Sequence, residues 1–125
     1  MRVKRKYINE DNLMVVRVSG TVSDRCVARY AVAKQREVPD ASRVSQLIDL
    51  REVECVAGLN AGRVVDYAKF EMERSESSVA LLIPDSPVYF GMARAYQTFA
   101  IEKRKSVEIF KTFECAQVWL TSGKG

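Results

Sequence analysis

The chain of 125 residues contains no histidine, and this absence excludes more chemistry than any motif in the sequence supplies. Histidine is the commonest general base and the commonest ligand of transition metals, so one chain cannot assemble a Ser-His or Cys-His nucleophile. The three cysteines, Cys26, Cys55 and Cys115, lie far apart with no C-x-x-C pair, which argues against a disulfide framework or a zinc site. We therefore predict no metal and no cofactor, and we expect all three cysteines to be small buried side chains.

Long hydrophobic runs are also missing. No apolar stretch approaches the ~20 residues that a membrane-spanning helix needs. The basic N-terminus leads into Tyr7, Ile8 and Asn9 instead of the apolar segment of a secretory signal, so we predict a cytoplasmic protein. With 47% hydrophobic and 29% charged residues, the composition is that of a soluble globular protein, and its length predicts a single domain over residues 1–125.

Positive charge is in modest excess, with a net charge of +4 at pH 7. The excess comes partly from two clusters: Arg2, Lys4, Arg5 and Lys6, and Lys103, Arg104 and Lys105. Such clusters can bind phosphate backbones, but no RNP-like, helix-turn-helix or zinc-finger pattern accompanies them. We interpret them as a basic first strand and the solvated end of a helix, and we predict no nucleic-acid partner.

The first half of the chain predicts a hairpin followed by a helix and a buried strand. Two strand-like runs, residues 3–8 and 13–19, flank four turn-forming residues and should pair antiparallel. The sequence T-V-S-D from Thr21 is a variant capping box, which predicts a helix that Pro39 ends. Residues 44–53 form a nearly continuous apolar run, typical of an interior strand. Asp49 interrupts this run, and we favour a structural role for its carboxylate over a catalytic one.

The second half repeats a strand and a helix. A loop of small residues leads to a helix over residues 61–74. The buried strand 79–83 precedes a helix in which Ser86 is the N-cap and Pro87 the first residue. That helix should extend to about residue 104, followed by a short strand at 107–110 and a last helix capped by Thr112. This order predicts an α/β fold: a mixed, mostly parallel sheet with an N-terminal antiparallel hairpin and about four flanking helices.

The helix after Pro87 carries two stripes. One contains Met92, Ala95, Tyr96 and Phe99 at the i, i+3, i+4, i+7 spacing of a core-facing side. The other contains Phe90, Arg94, Gln97 and Ile101. A helix with apolar groups on two sides is often covered by something besides its own sheet. Two interpretations stay open: the terminal helix with Trp119 covers the second stripe, or the stripe is a surface for a partner or a homodimer.

Several segments resemble one known family. They are Asp49-Leu50-Arg51, Val79-Ala80-Leu81-Leu82 leading to Tyr89-Phe90-Gly91-Met92-Ala93-Arg94-Ala95-Tyr96-Gln97, and Val107-Glu108-Ile109-Phe110 leading to the segment from Ala116 through Leu120. In order and type they resemble STAS domains related to anti-sigma-factor antagonists, and more specifically the small bacterial SpoIIAA-like group, also described as STAS/SEC14-like. The resemblance implies a single-domain SpoIIAA-like fold and a non-enzymatic regulatory or protein-interaction role. In switch-type relatives the loop after the central strand carries a phosphorylatable serine, but Ala57-Gly58-Leu59-Asn60 has no hydroxyl here.

The first hypothesis is therefore a protein-interaction module without catalysis. Its contact surface would include the loop residues Gly58, Leu59 and Asn60 and the helix residues Tyr89, Phe90 and Arg94. The alternative is a carrier of a small apolar or amphipathic, lipid-like ligand, held between the sheet and the helix that bears Tyr89 and Phe90. An enzyme ranks third, because no pair of side chains in the sequence is spaced as an acid and a base.

Overall fold

A computed structural model of the chain describes residues 1–23, 25, 45–57, 62–63, 66, 78–102 and 106–121. Its strands are β1 (Arg2–Ile8), β2 (Leu13–Ser23), β3 (Ser45–Ala57), β4 (Val79–Leu82) and β5 (Val107–Phe110). Its helices are α1 (Pro87–Glu102) and α2 (Phe113–Thr121), and one turn of 3-10 helix spans Asn9–Asp11.

Strands β1 and β2 form the predicted antiparallel hairpin. Ile8 lies opposite Leu13 at the turn, and the register continues without interruption to Arg2 and Ser19. Asn12 completes the turn with a positive φ of 49°, a conformation that asparagine tolerates better than most residues. The Tyr7 hydroxyl donates a hydrogen bond of 2.7 Å to Asn12 Oδ1, so the turn is tied to the strand that enters it.

The five strands lie in the order β1-β2-β3-β4-β5, and every pair after the hairpin is parallel. Strand β3 lies at the centre, as the apolar run around Leu47 predicts, and all four residues of β4 are buried. The α/β class and the mixed, mostly parallel sheet are therefore confirmed. The apolar composition of β4 follows from its position, because a strand inside a parallel sheet is covered on both faces.

Strands β2 and β3 extend further than the sequence predicts. Thr21 was expected to cap a helix but lies within β2, where it is the register partner of Cys55 in β3. The register shifts between Gly20 and Thr21, and Gly20 adopts a φ of +81° that a side chain would make strained. The glycine thus lets the ladder shift and then continue. Cys55, which follows the predicted strand of residues 44–53, therefore lies in β3.

The two faces of the sheet bury separate apolar clusters. On one face, Leu13, Val15, Leu47, Ala80 and Leu82 surround Ala116 and Leu120 of α2. On the other face, Val79, Leu81, Ile83 and Val107 surround Ala93 and Ala100 of α1. Successive strand residues point to opposite faces, so β4 contributes Ala80 and Leu82 to one cluster and Val79 and Leu81 to the other. The described part of the chain is a sheet between α1 and α2.

The prediction of about four flanking helices is not met within the described residues, which contain two helices. Most residues of the other two predicted helices, which follow Thr21 and Ala61, lie outside the described ranges. Arg25, Gly62, Arg63 and Asp66 are described and have helical backbone. Neither described helix combines the length and the apolar character that crossing a membrane requires.

Candidate functional site

Helix α1 begins where its sequence predicts. Pro87 is its first residue, so Ser86 occupies the N-cap position. The Ser86 carbonyl accepts a hydrogen bond of 3.0 Å from the Phe90 amide, and the Ser86 amide donates to the Pro84 carbonyl at 2.9 Å. Proline is favoured at the first helical position because its missing N–H is not needed there. These bonds fix the rotation of the first turn, which carries Tyr89 and Phe90.

The side of α1 that faces the sheet differs from the prediction. Its buried residues are Ala93, Gln97 and Ala100, whereas the four predicted core residues, Met92, Ala95, Tyr96 and Phe99, are only partly buried. The physical reason is size. Two alanines, Ala93 and Ala100, let the helix backbone approach the sheet closely, so the larger side chains of Met92, Tyr96 and Phe99 are only partly covered.

The second predicted stripe is exposed apart from Gln97. Phe90 keeps 47% of its surface exposed and Ile101 keeps 64%, and Arg94 between them is also exposed. Phe90 and Arg94 are four residues apart and therefore adjacent on one helix side. We call Phe90, Arg94 and Ile101 the α1 outer stripe. The interpretation that the terminal helix covers it is wrong, because α2 lies on the opposite face, where the Trp119 and Phe110 rings are 5.7 Å apart.

Gln97 connects the α1 outer stripe to strand β5. Its side-chain amide donates to the Val107 carbonyl at 3.0 Å and lies 3.4 Å from a Glu108 carboxylate oxygen. The Gln97 side-chain carbonyl accepts a hydrogen bond from Arg94 Nη1. Arg94 is thereby held in place by a buried side chain, which lowers the entropy it would lose on binding a partner.

The structure brings two of the six predicted site residues together. Phe90 and Arg94 share the α1 outer stripe. Tyr89 is half-buried. It precedes Arg94 by five residues, which places the two side chains about 140° apart around the helix axis, so Tyr89 lies on another side of α1. Gly58, Leu59 and Asn60 lie outside the described residues, so their grouping with the helix residues stays a prediction.

A second polar cluster lies on the sheet face that α2 covers. The Asp49 side chain, only 6% exposed, accepts hydrogen bonds from Arg51 at its backbone amide (3.0 Å), Nε (3.1 Å) and Nη2 (3.0 Å). Arg17 is the cross-strand partner of Asp49, and its Nε lies 3.8 Å from Oδ2. The Arg17 guanidinium also lies 6.0 Å from the centre of the Phe113 ring at the start of α2. We call Arg17, Asp49 and Arg51 the Arg–Asp cluster.

The electrostatics of the Arg–Asp cluster favour a structural role for Asp49. Burial acts to raise the pKa of the Asp49 carboxyl, but the hydrogen bonds from Arg51 and the charges of Arg51 and Arg17 outweigh it and lower that pKa below its ordinary value. The hydrogen bonds to Asp49 also raise the pKa of Arg51. The carboxylate is therefore ionised at neutral pH and bound on both oxygens, unlike a general base poised to accept a proton.

The sequence contains part of the signal for the Arg–Asp cluster. Asp49 and Arg51 are two residues apart in a strand, so they share a face of the sheet. The position of Arg17 beside them depends on the register of β2 against β3, which no local pattern specifies. The sequence predicts this strand over residues 44–53, but β3 continues to Ala57.

The cysteine prediction is corrected for the two cysteines in the described ranges. Cys55 and Cys115 are both exposed, and Cys26 lies outside those ranges. Cys55 is exposed because the unpredicted extension of β3 carries it beyond the core, where its sulfur lies 3.3 Å from Thr21 Oγ1. Within the described residues no three His, Cys, Asp or Glu side chains are grouped closely enough to hold a metal ion.

Comparison with known proteins identifies the fold but no close relative. No protein-family model matches the sequence. No curated protein matches it either. A crystal structure of an uncharacterized DUF3478 family protein from Shewanella loihica PV-4, which has a SpoIIAA-like fold, is similar with a TM-score of 0.64 and 12% sequence identity. The match covers 95% of this chain and 92% of that one. The chain therefore has a SpoIIAA-like fold, as its resemblance to STAS domains predicts.

Proposed function

We propose that the chain is a cytoplasmic, non-enzymatic STAS-like module that regulates another protein by binding it. The observation that carries the proposal is the α1 outer stripe, where Phe90 and Ile101 are exposed on either side of Arg94. The SpoIIAA-like fold agrees with such a role, although a fold alone does not define a function.

The α1 outer stripe has the composition of a protein-binding surface. Aromatic residues and arginine are enriched among the side chains that dominate binding energy, especially where a partner removes them from water. Fully burying an apolar side chain the size of Phe90 or Ile101 contributes roughly 1.5–3 kcal/mol. Arg94 adds directional hydrogen bonding, and its contact with Gln97 already restricts it. The fitting partner offers apolar side chains to Phe90 and Ile101 and a carboxylate or carbonyl to Arg94.

The absence of catalysis is supported by the side chains present. The chain has no histidine, and the buried carboxylate of Asp49 is bound on both oxygens by Arg51. A carboxylate that must release Arg51 before it can accept a proton is poorly suited to acid–base catalysis. These observations favour recognition over bond-making.

Two parts of the hypothesis rest on the sequence. The loop Gly58, Leu59 and Asn60 is proposed as a second contact segment, and its lack of a hydroxyl argues against control by phosphorylation at that loop. The alternative role as a carrier of a lipid-like ligand also stays a prediction. Native mass spectrometry of freshly purified protein tests it, because a retained ligand would appear as added mass.

The test of the α1 outer stripe compares two exposed apolar residues on different helices. Ile101 on α1 and Val118 on α2 are 64% and 62% exposed, so replacing either with glutamate should disturb the fold little. Tagged wild type, Ile101→Glu and Val118→Glu are used to isolate partners from the native cells, and the affinity of each recovered partner is then measured with purified proteins.

We expect Ile101→Glu to lower the affinity for the partner at least tenfold. Val118→Glu should leave this affinity unchanged. Equal affinity for all three proteins, or an equal loss in both variants, would contradict the proposal. Sedimentation velocity on the same proteins identifies a homodimer: a wild-type dimer that Ile101→Glu converts to a monomer makes a second copy the partner.

A further inference from the structure

We propose that the edge strand β1 binds an acidic, extended segment of another protein, which pairs with β1 as a sixth strand and places carboxylates against Arg2, Lys4 and Lys6. Strand β1 is a different surface from the α1 outer stripe. Three features support the proposal. They are the placement of the charges on β1, the position of β1 at the edge of the sheet, and the repulsion that these charges would create between two copies of β1.

The charges of β1 are arranged on one face of the sheet. Arg2, Lys4 and Lys6 alternate along the strand, so their side chains point to the same face, about 6.7 Å apart at 3.3–3.4 Å per residue. All three are exposed. Within the part of the chain that the structure describes, no hydrogen bond or ion pair engages these three side chains. Lys4 also lies directly opposite Arg17 of β2, but the Asp49 carboxylate, 3.8 Å from Arg17 Nε, compensates the charge of Arg17, so this one pair of cations is tolerated within the sheet.

This row continues the sheet face on which α2 packs, but α2 itself packs on β3, β4 and β5. Near the hairpin turn the same face is apolar, where Ile8 and Leu13 join the core cluster of α2. Towards Arg2 it is charged and open to solvent. An acidic ligand that approaches along β1 would therefore meet positive charge that α2 does not cover.

Among the strands of the described residues, β1 is the last in the sheet, with β2 as its neighbour on one side. Five of its seven residues are exposed. An edge strand presents a row of backbone N–H and C=O groups to solvent, and an added strand satisfies them. Such an added strand would place every second side chain opposite Arg2, Lys4 and Lys6, where cross-strand pairs of opposite charge are stabilising.

The same charges discriminate between occupants. A second copy of β1 in this position would set cations opposite cations, which destabilises strand pairing. Lysines on an edge strand commonly serve to prevent such self-association. A segment with carboxylates at alternate positions would be attracted instead. The same positive side chains therefore repel a second copy of β1 and favour an acidic strand.

Nucleic acid fits the surface less well. Proteins that bind single strands combine a basic groove with aromatic side chains on which bases stack. Tyr7, the aromatic residue of β1, is odd-numbered and points to the other face of the sheet from Lys4 and Lys6. A phosphate backbone would also leave the N–H and C=O groups of the strand edge without strand partners.

The first experiment uses two labelled peptides of seven residues and identical composition. In the first, three glutamates alternate with valine and threonine; in the second, the glutamates are contiguous. Affinities for the full chain are measured by fluorescence anisotropy at about 0.15 M salt, where long-range attraction is screened. We expect the alternating peptide to bind about tenfold more tightly, with slowed hydrogen exchange at the backbone amides of β1. Equal affinities, or unchanged exchange in β1, would overturn the proposal.

The second experiment uses a matched pair of charge reversals, Lys4→Glu and Arg5→Glu. They change the net charge equally, but neighbouring strand residues point to opposite faces. We expect Lys4→Glu to lower the affinity for the alternating peptide about tenfold. Arg5→Glu should lower this affinity less than threefold. Lys6→Glu should repeat the effect of Lys4→Glu. An equal loss at Lys4 and Arg5, or tighter binding of an oligothymidylate or of anionic lipid vesicles than of the peptide, would refute strand addition.

Discussion

Helices α1 and α2 lie on opposite faces of one sheet and differ in how their apolar side chains are used. In α2, Trp119 packs against Phe110, and Leu120 is buried with the strands. In α1, the buried contact is made by two alanines and a glutamine, while Phe90 and Ile101 are exposed. Trp119 and Leu120 of α2 therefore pack with the core, whereas Val88, Phe90 and Ile101 of α1 are exposed.

The difference shows that apolar residues at helical spacing do not by themselves indicate which side of a helix contacts the sheet. Both helices have such residues three and four positions apart. In α2 the sheet covers them, and in α1 the small residues Ala93 and Ala100 make the sheet contact instead. The size of the side chains on each side of a helix is thus as informative as their hydrophobicity.

The comparison is tested most directly by truncating one large side chain on each helix. Leu120→Ala in α2 should lower the free energy of unfolding by about 2–5 kcal/mol, because it removes packed methyl groups and leaves a cavity. Ile101→Ala in α1 should change it by less than about 0.5 kcal/mol, since the side chain is mostly in water already. Urea unfolding of both variants measures this. A cost at Ile101 similar to that at Leu120 would mean that the α1 outer stripe is covered.

A smaller loss of unfolding free energy is expected from a change in the Arg–Asp cluster, on the sheet face that α2 covers. Asp49→Asn keeps the shape of the side chain but removes its charge, and should cost about 1.5–3 kcal/mol at neutral pH because Arg51 loses charge-assisted hydrogen bonds. Asp85→Asn is the control, since the Asp85 carboxylate is 95% exposed and its pair with Lys111 spans 3.5 Å. We expect the control to leave the unfolding free energy nearly unchanged.

The contribution of Asp49 should depend on pH. Its pKa is lowered in the folded state, so its stabilisation is present above the ordinary carboxyl pKa of about 3.9 and is lost as the pH falls towards the lowered value. Between neutral pH and about pH 3, wild type should therefore lose stability relative to Asp49→Asn. Parallel unfolding curves of the two proteins over that range would contradict the role assigned to the Arg–Asp cluster.

The smallest effect concerns the polar contact of α1. Gln97→Leu removes the donor to the Val107 carbonyl and the acceptor of Arg94, and should cost about 1–2 kcal/mol. Thr98→Leu, at an exposed neighbouring position of the same helix, serves as the control for adding a leucine. Thermal unfolding compares the two. If Gln97→Leu were as stable as wild type, the hydrogen bonds of Gln97 would contribute nothing to the packing of α1.

Features encoded by neighbouring residues could be predicted from the sequence. The hairpin follows from four consecutive turn-forming residues ending at Asn12, and the start of α1 follows from Ser86 and Pro87. The interior position of β4 follows from its continuous apolar run. Each signal lies within a few residues of the structure it specifies, so no knowledge of the fold was needed.

Features that depend on distant partners could not be predicted in the same way. The extension of β2 through Thr21 requires its pairing with Cys55, and the local sequence resembled a helix cap instead. The site shows the same division. Phe90 and Arg94 could be assigned to one helix side from their spacing, but their exposure depends on α2 packing on the opposite face of the sheet. The Arg–Asp cluster depends on the register that sets Arg17 beside Asp49.

The short connection within the β1–β2 hairpin has a consequence for folding kinetics. Ile8 and Leu13 are separated by a single tight turn, whereas β3 can pair with β2 only after the chain from Ser23 to Ser45 has closed. Closing a longer segment costs more chain entropy, and contacts between residues close in sequence form faster. The hairpin should therefore form early and serve as the template on which the slower parallel strands assemble.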